Sequence, residues 1–168
     1  MKNLIVVLFA TLSSFFAQGQ SKDVTDVAVG SADHTTLVAA VKAADLLATL
    51  KGPGPFTVFA PTNAAFDKLP AGTVETLLKA ENKRTLTGIL TYHVVVGSLN
   101  AAAVLAAITT GKGKAEVVTV HGSKLTLSLD GGKVKVTDEN GNSAMVVAAD
   151  LKATNGVVHV IDSVLQPK

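Results

Sequence analysis

The sequence predicts an α+β fold, in which helices and strands occupy different parts of the chain. Apolar residues recur at helical spacing through much of the chain between residues 35 and 110. One short apolar segment, Phe56 to Ala60, interrupts that half and has the composition of a buried strand. From residue 115 onward, strand-like segments alternate with turns rich in Asn, Asp and Gly, which is typical of an antiparallel meander.

The helical half begins with a short helix within residues 20–33. Ser31 or Asp33 can then cap a second helix, which the pattern extends to the break at residues 52–55, because proline cannot continue a helix. Helical spacing also marks residues 73–78, 86–90 and 99–108. The apolar positions of the second helix are Leu37, Val38, Val41, Ala44 and Leu47 or Ala48.

Strands are predicted where β-branched and apolar residues cluster. The run from Thr91 to Val96 is predicted to be a strand between two helices. The turns of the second half fall at residues 130–132, 138–142 and 155–156, where Asn, Asp and Gly tolerate positive φ. The strands between these turns are predicted at 116–120, 124–129, 133–137, 144–149 and 156–165.

The segment from Thr57 to Phe66 predicts a strand that leads directly into a helical turn. Pro61 ends the strand because it lacks the N–H that a ladder requires. Thr62 is a suitable N-cap for a turn over residues 63–69, which Pro70 closes. We interpret this stretch as scaffold, not as a binding site.

The N-terminus has the features of a cleaved signal peptide. A basic start, Met1 to Asn3, precedes the apolar run Leu4 to Ala17, and Ala17 and Gly19 match the small residues of a cleavage site. The apolar run is shorter than the roughly 20 residues of a membrane-spanning helix. The sequence therefore predicts a signal peptide over residues 1–19 and a single mature domain over residues 20–168, secreted to the periplasm or the extracellular space, with no transmembrane segment.

Composition restricts the class of protein further. The chain has 168 residues, 48% of them hydrophobic, which is enough for one packed domain. It has no cysteine, so an exported domain must rely on packing and hydrogen bonds in place of disulfides. The formal net charge of +2 is too small for a nucleic-acid-binding surface.

Several residue combinations suggest catalysis or metal binding, and each fails on geometry. The four histidines lack the i, i+4 spacing of a helical metal site. His159 and Asp162 would point to opposite faces of a strand, which excludes a triad with Ser163. The segment around Lys114 lacks the Ser or Thr of a phosphate loop, and Asp138 to Asn142 lacks the Gly and Glu of a calcium loop. We expect no catalytic site, metal or cofactor.

Tyr92 is the single tyrosine of the chain, and His93 follows it. One interpretation is a recognition dipeptide on the surface. The other is that one side chain packs inward while its neighbour lies at the mouth of the predicted strand, since alternation would place them on opposite faces.

Three ordered stretches of the sequence resemble the fasciclin domain, a module of extracellular and cell-surface proteins. The resemblance covers about residues 23–167. It implies a wedge of about seven mostly antiparallel strands with a layer of helices, which agrees with the α+β prediction. The stretches are TVFAPTNAAF with Leu69-Pro70 after it, LTYHVV at residues 90–95, and GVVHVIDSVLQP at residues 156–167.

The resemblance implies adhesion and no catalytic activity. The partner would be a cell-surface or matrix protein or a polysaccharide, and the protein would be a monomer. The family's Tyr-His region matches Tyr92 and His93 with Leu90 and Val94, which become the candidate binding residues. As a single domain, the chain would lack the bivalency of tandem copies. An alternative, by analogy with a few family members, is a carrier of a lipid or pigment in an apolar cleft between helices and sheet.

The remaining signature residues are expected to be structural. They are Thr57, Pro61, Thr62, Asn63, His159 and Asp162. Asp162 lies among Val and Ile, where an unpaired carboxylate is costly. We expect it to accept hydrogen bonds from groups near residues 57–63, and its replacement by alanine to destabilise the protein by roughly 1–3 kcal/mol.

Overall fold

The computed structural model describes residues 22–168, and the predicted signal peptide lies outside these residues. Short 3₁₀ turns cover Ala32–His34 and Ala80–Asn82. The α-helices are α1 (Val24–Val29), α2 (Thr35–Ala43), α3 (Leu47–Leu50), α4 (Asn63–Asp67), α5 (Thr73–Leu77), α6 (Lys83–Tyr92) and α7 (Ala101–Thr110). The strands are β1 (Phe56–Pro61), β2 (Val94–Val96), β3 (Lys114–Val118), β4 (Lys124–Asp130), β5 (Lys133–Thr137), β6 (Ser143–Ala153) and β7 (Gly156–Ile161).

The seven strands form one sheet in the order β2-β1-β7-β6-β5-β4-β3. Every neighbouring pair is antiparallel except β1 and β7, which run parallel. The two ends of the sheet meet where Val95 bridges Thr119 and the Val120 N–H donates to the Val94 carbonyl at 2.7 Å. The sheet is therefore a nearly closed wedge, and the predicted α+β class is confirmed.

The protein has a hydrophobic cluster on each side of strands β1 and β7. Alternate residues such as Val58 and Val158 face the layer of α1, α2, α3 and α6. Residues on the opposite face of the same strands, such as Phe59 and Ile161, face the inside of the wedge, where α7 covers the opening. This two-sided burial explains why the β1 sequence is almost wholly apolar.

The long second helix predicted from the sequence is wrong, because the structure divides it into α2 and α3. Asp45 adopts a left-handed conformation with φ 57°, and the N–H groups of Asp45 and Leu46 donate to the carbonyls of Lys42 and Val41. This is a Schellman ending, in which Asp replaces the more usual Gly. The Asp45 carboxylate also pairs with Lys83 on α6, so the break ties two helices together.

The strand predicted to begin at Thr91 begins later, at Val94. Helix α6 continues through Tyr92, and the Thr91 hydroxyl donates to the Thr87 carbonyl one turn back. Leu86 and Leu90 are buried on one face of this helix, which extends the helical pattern into the β-branched run. Tyr92 and His93 therefore lie at the end of a helix, and strand alternation does not place their side chains on opposite faces.

The turns of the meander form as their residues predict. Gly131 and Gly132 connect β4 to β5 with φ of 57° and 81°, the two positive values of a type I′ turn. Strand β6 is longer than predicted and contains two register shifts against β7. Asp150 has φ 59° beside the second shift, and its carboxylate accepts from the Ala101 N–H at the start of α7 at 2.6 Å.

We predict that Gly156→Ala destabilises the protein by about 2 kcal/mol. Gly156 is opposite Phe56 in the parallel pair, and an added Cβ would collide with the Phe56 backbone, which cannot move without breaking the ladder. Chemical denaturation would measure the loss. The matched control is Gly88→Ala on α6, where a Cβ meets only His121 at an ordinary 3.6 Å and a gain of about 0.5–1 kcal/mol is expected.

Candidate functional site

Tyr92 ends helix α6 and points into the wedge, where its side chain is fully buried. The hydroxyl donates to the Lys124 carbonyl at 2.9 Å and accepts from the Glu139 N–H at 3.1 Å. Burial raises the pKa of Tyr92. The side chain therefore joins α6 to the start of β4 and to the turn before β6.

His93 lies between the helical layer and the segment that follows β7, and it is also buried. Its Nδ1–H donates to the Ile89 carbonyl at 2.8 Å, and its Nε2 accepts from the Leu165 N–H at 3.0 Å. The bond from Leu165 requires a neutral ring, because both nitrogens of a protonated imidazole are donors. Burial lowers the pKa of His93 to about 4, so the ring is neutral at physiological pH.

All four candidate binding residues face the interior. Leu90 and Val94 are buried, as Tyr92 and His93 are, with exposures of 5% or less. Their positions do not support direct contact with a partner through these side chains. In the same segment, Val96 is 68% exposed, and it lies near Val118 and Val120 at the junction of β2 and β3.

Thr57 and His159 hold the loop between β2 and α7 in place. The Thr57 hydroxyl donates to the Gly97 carbonyl at 2.7 Å and accepts from the Leu99 N–H at 2.8 Å. His159 Nε2–H donates to the Leu99 carbonyl at 2.6 Å, and the ring stacks on Phe59. The neighbouring strands β1 and β7 thus both bind the loop between β2 and α7, from the same face of the sheet.

Pro61, Thr62 and Asn63 form the transition from β1 to α4. Pro61 ends the strand opposite Ile161, and the Thr62 hydroxyl caps α4 by accepting from the Ala65 N–H at 3.2 Å. Asn63 accepts from the Thr36 N–H and donates to the Ala32 carbonyl, which attaches α4 to the start of α2. These contacts are all within the scaffold.

The predicted partners of Asp162 are wrong. The carboxylate accepts from the Met145 N–H at 2.9 Å and the Ser163 hydroxyl at 3.1 Å, instead of from groups near residues 57–63. The reason is that Asp162 follows the last residue of β7 and turns toward β6, away from β1. Lys68 approaches from the other side, with its Nζ 3.9 Å from Asp162 Oδ2.

Asp162→Ala is expected to cost about 1 kcal/mol, the lower end of the sequence-based range. The side chain is 37% exposed, so water can replace part of what the carboxylate gives to Met145. The matched control is Asp67→Ala on the exposed end of α4, where a change within 0.5 kcal/mol is expected. Equal melting temperatures for both variants would contradict the prediction.

Asp138 and Asn155 have large structural roles that were not predicted from the sequence. Asp138 is buried, and its carboxylate accepts from the N–H groups of Asn140, Asn142 and Gln166 and from the Asn142 side chain. Asn155 donates to the carbonyls of Leu50 and Gly52 and accepts from the Val24 N–H. Both residues lie in segments that the sequence predicts to be turns.

An apolar cavity lies between the helical layer and the sheet, where the sequence-based alternative places a carrier site. Its volume is about 30 Å³, enough for about two water molecules. Its lining includes Val24, Leu37, Leu50, Phe59, Leu90 and His93.

Within residues 22–168, no cluster of three or more His, Cys, Asp or Glu side chains is placed to hold a metal ion. None of the helices in this part of the chain has the length and apolar character needed to cross a bilayer.

Comparison with known proteins decides the family. The family model for the fasciclin domain matches residues 32–167 of the sequence. The chain belongs to the fasciclin family. The fasciclin match includes all three of the stretches that carry the resemblance in the sequence.

Relatives of the fasciclin chain include bacterial and mammalian proteins. Protein sll1483 of Synechocystis is 51% identical over 151 residues, which cover 90% of this chain and 77% of the relative. Immunogenic protein MPB70 of Mycobacterium bovis is 41% identical over 89% of this chain and 72% of its own length. Cell surface glycolipoprotein MPB83 of the same species is 37% identical over 73% of this chain and 48% of its own.

A solved structure has the same fold. It is the fasciclin domain pair of the insect cell adhesion molecule Fasciclin I, with a TM-score of 0.61 and 24% identity over 75% of this chain and 42% of that one.

Proposed function

We propose that this fasciclin domain is a non-enzymatic binding module that acts outside the cytoplasm and attaches to a cell-surface or matrix component. The observation that carries the proposal is the family match over residues 32–167. One relative, MPB83, is named a cell surface glycolipoprotein, and that name supports a location outside the cytoplasm.

The arrangement of the histidines also supports a role without catalysis. His93 and His159 each use a ring nitrogen to donate to a backbone carbonyl inside the protein. A general base needs a ring nitrogen within reach of a substrate proton. These two rings instead join secondary-structure elements.

The carrier alternative is less well supported. The cavity of about 30 Å³ would have to open widely before it could accept a lipid or a pigment, since drug-sized ligands occupy sites of about 300–1,000 Å³. Native mass spectrometry of protein purified from its own host would test it, and a mass above that of the polypeptide would favour the carrier.

The test of the binding role is an adhesion screen. The purified chain is applied to whole cells, polysaccharides and matrix proteins, with heat-unfolded protein as the control. Saturable attachment of the folded chain alone is expected. A screen without saturable binding to any of these surfaces would refute the proposal.

A further inference from the structure

An open polar cleft of about 320 Å³ lies where three distant segments of the chain meet. One wall is the end of α4, another is the turn that leads into β6, and the third is the segment after β7. We name it the C-terminal cleft, and its lining includes Lys68, Leu69, Asn142, Ser143, Val164 and Gln166.

Buried groups hold two of these walls in position. The Leu165 N–H donates to His93 at 3.0 Å, and the Gln166 N–H donates to Asp138 at 3.1 Å. The other Asp138 oxygen accepts from the Asn142 N–H at 2.8 Å. One buried carboxylate therefore positions both sides of the cleft, which makes the walls rigid before any ligand arrives.

The third wall is fixed by Lys68. Its Nζ donates to the Asp162 carbonyl at 2.6 Å and to the Ser163 hydroxyl at 3.3 Å, and it lies 3.9 Å from the Asp162 carboxylate. These contacts hold the Lys68 ammonium group against Asp162 and Ser163, next to a carboxylate of opposite charge.

The remaining polar groups of the cleft are uncharged and available. The Ser143 hydroxyl and the Gln166 amide make no side-chain hydrogen bond to any residue between 22 and 168. Each group can both donate and accept. Leu69 and Val164, both partly buried, supply apolar surface beside them.

We propose that the C-terminal cleft binds a neutral sugar unit of a polysaccharide. A sugar ring presents hydroxyls that donate and accept, together with a C–H face, and the cleft offers the matching groups in a volume at the lower end of small-ligand sites. An acidic sugar would compete with Asp162 for Lys68. The inference rests on the proposed binding function and names the class of ligand.

The test is an NMR titration of the full chain with neutral oligosaccharides of glucose, galactose, mannose and arabinose, alongside glucuronate and a sulfated sugar. Saturable shifts are expected for the amide signals of Asn142, Ser143, Ser163 and Gln166 with at least one neutral sugar. The double variant Ser143→Ala with Gln166→Ala should bind that sugar about tenfold more weakly, since two neutral hydrogen bonds are lost. Ser128→Ala, on β4 and outside the cleft lining, is the matched control and should bind unchanged.

The inference is overturned if no neutral sugar gives saturable shifts at the cleft, if the double variant binds as tightly as the parent, or if the acidic sugars bind more tightly. Equal melting temperatures establish that the variants are folded. The adhesion screen with the same double variant separates the two proposals. Adhesion that survives the double substitution, together with unchanged sugar binding, refutes the cleft and keeps the binding role, whereas sugar binding without adhesion keeps the cleft and refutes the adhesive role.

Discussion

Asp138→Ala is expected to lower the free energy of unfolding by about 4 kcal/mol. The buried carboxylate accepts four hydrogen bonds, and its removal leaves three backbone N–H groups and one side-chain amide without their partner. Water can reach only part of this site, so much of the desolvation cost is not recovered. Urea denaturation at pH 7 would measure the loss.

The matched control for this experiment is Asp130→Ala. Asp130 is an exposed carboxylate at the end of the neighbouring strand, and among residues 22–168 it pairs only with Lys135, at 3.7 Å. Its loss should change stability by less than 0.5 kcal/mol. A cost below 1 kcal/mol for Asp138→Ala would show that the carboxylate does not organise the turn and the C-terminal segment.

Acid is expected to destabilise the protein through His93 by about 3 kcal/mol between pH 7 and pH 4. The folded-state pKa of about 4 lies below the ordinary value of 6.5, so the unfolded chain binds a proton first as the pH falls. The contribution to stability is full above pH 6.5 and is lost progressively toward pH 4. Protonation would place an N–H of the ring against the N–H of Leu165.

The variant His93→Gln tests this origin, because it removes the titrating group and keeps an acceptor for Leu165. The difference in stability between pH 7 and pH 4 should be about 3 kcal/mol smaller in the variant than in the parent. Burial also lowers the pKa of His34, so some pH dependence of the same sign persists, and His34→Gln in the His93→Gln background would reduce it further. An identical pH profile for parent and His93→Gln would contradict the assignment.

The parts of the fold that the sequence predicts are those set by local pattern. Phe56 to Ala60 is recognisable because it is short and apolar, and Gly131 and Gly132 because few residues adopt their φ values. The helix end at Asp45 was not predicted, because Asp is an uncommon residue in the left-handed position that ends a helix. The helical end over Thr91 to His93 was not predicted, because a β-branched run follows the helix without a break in its apolar spacing.

The candidate site was less predictable than the fold. The sequence identifies Tyr92 and His93, but whether they lie outside or inside depends on contacts with Lys124, Glu139 and Leu165. Asp138 reads as part of a turn, and its bond to Gln166, 28 positions away, exists only in the folded chain. The C-terminal cleft combines three segments in the same way.

The parallel pairing of β1 with β7 also governs when the protein can fold. Residues 56–61 find their parallel partner strand only at residues 156–161. A nascent chain on the ribosome cannot form this parallel pair until β7 has been synthesised, and contacts this distant in sequence form slowly. Truncation before β7 would leave β1 with only the three-residue strand β2 beside it. Strand β1 therefore lacks one of its two neighbouring strands until residues 156–161 have been synthesised.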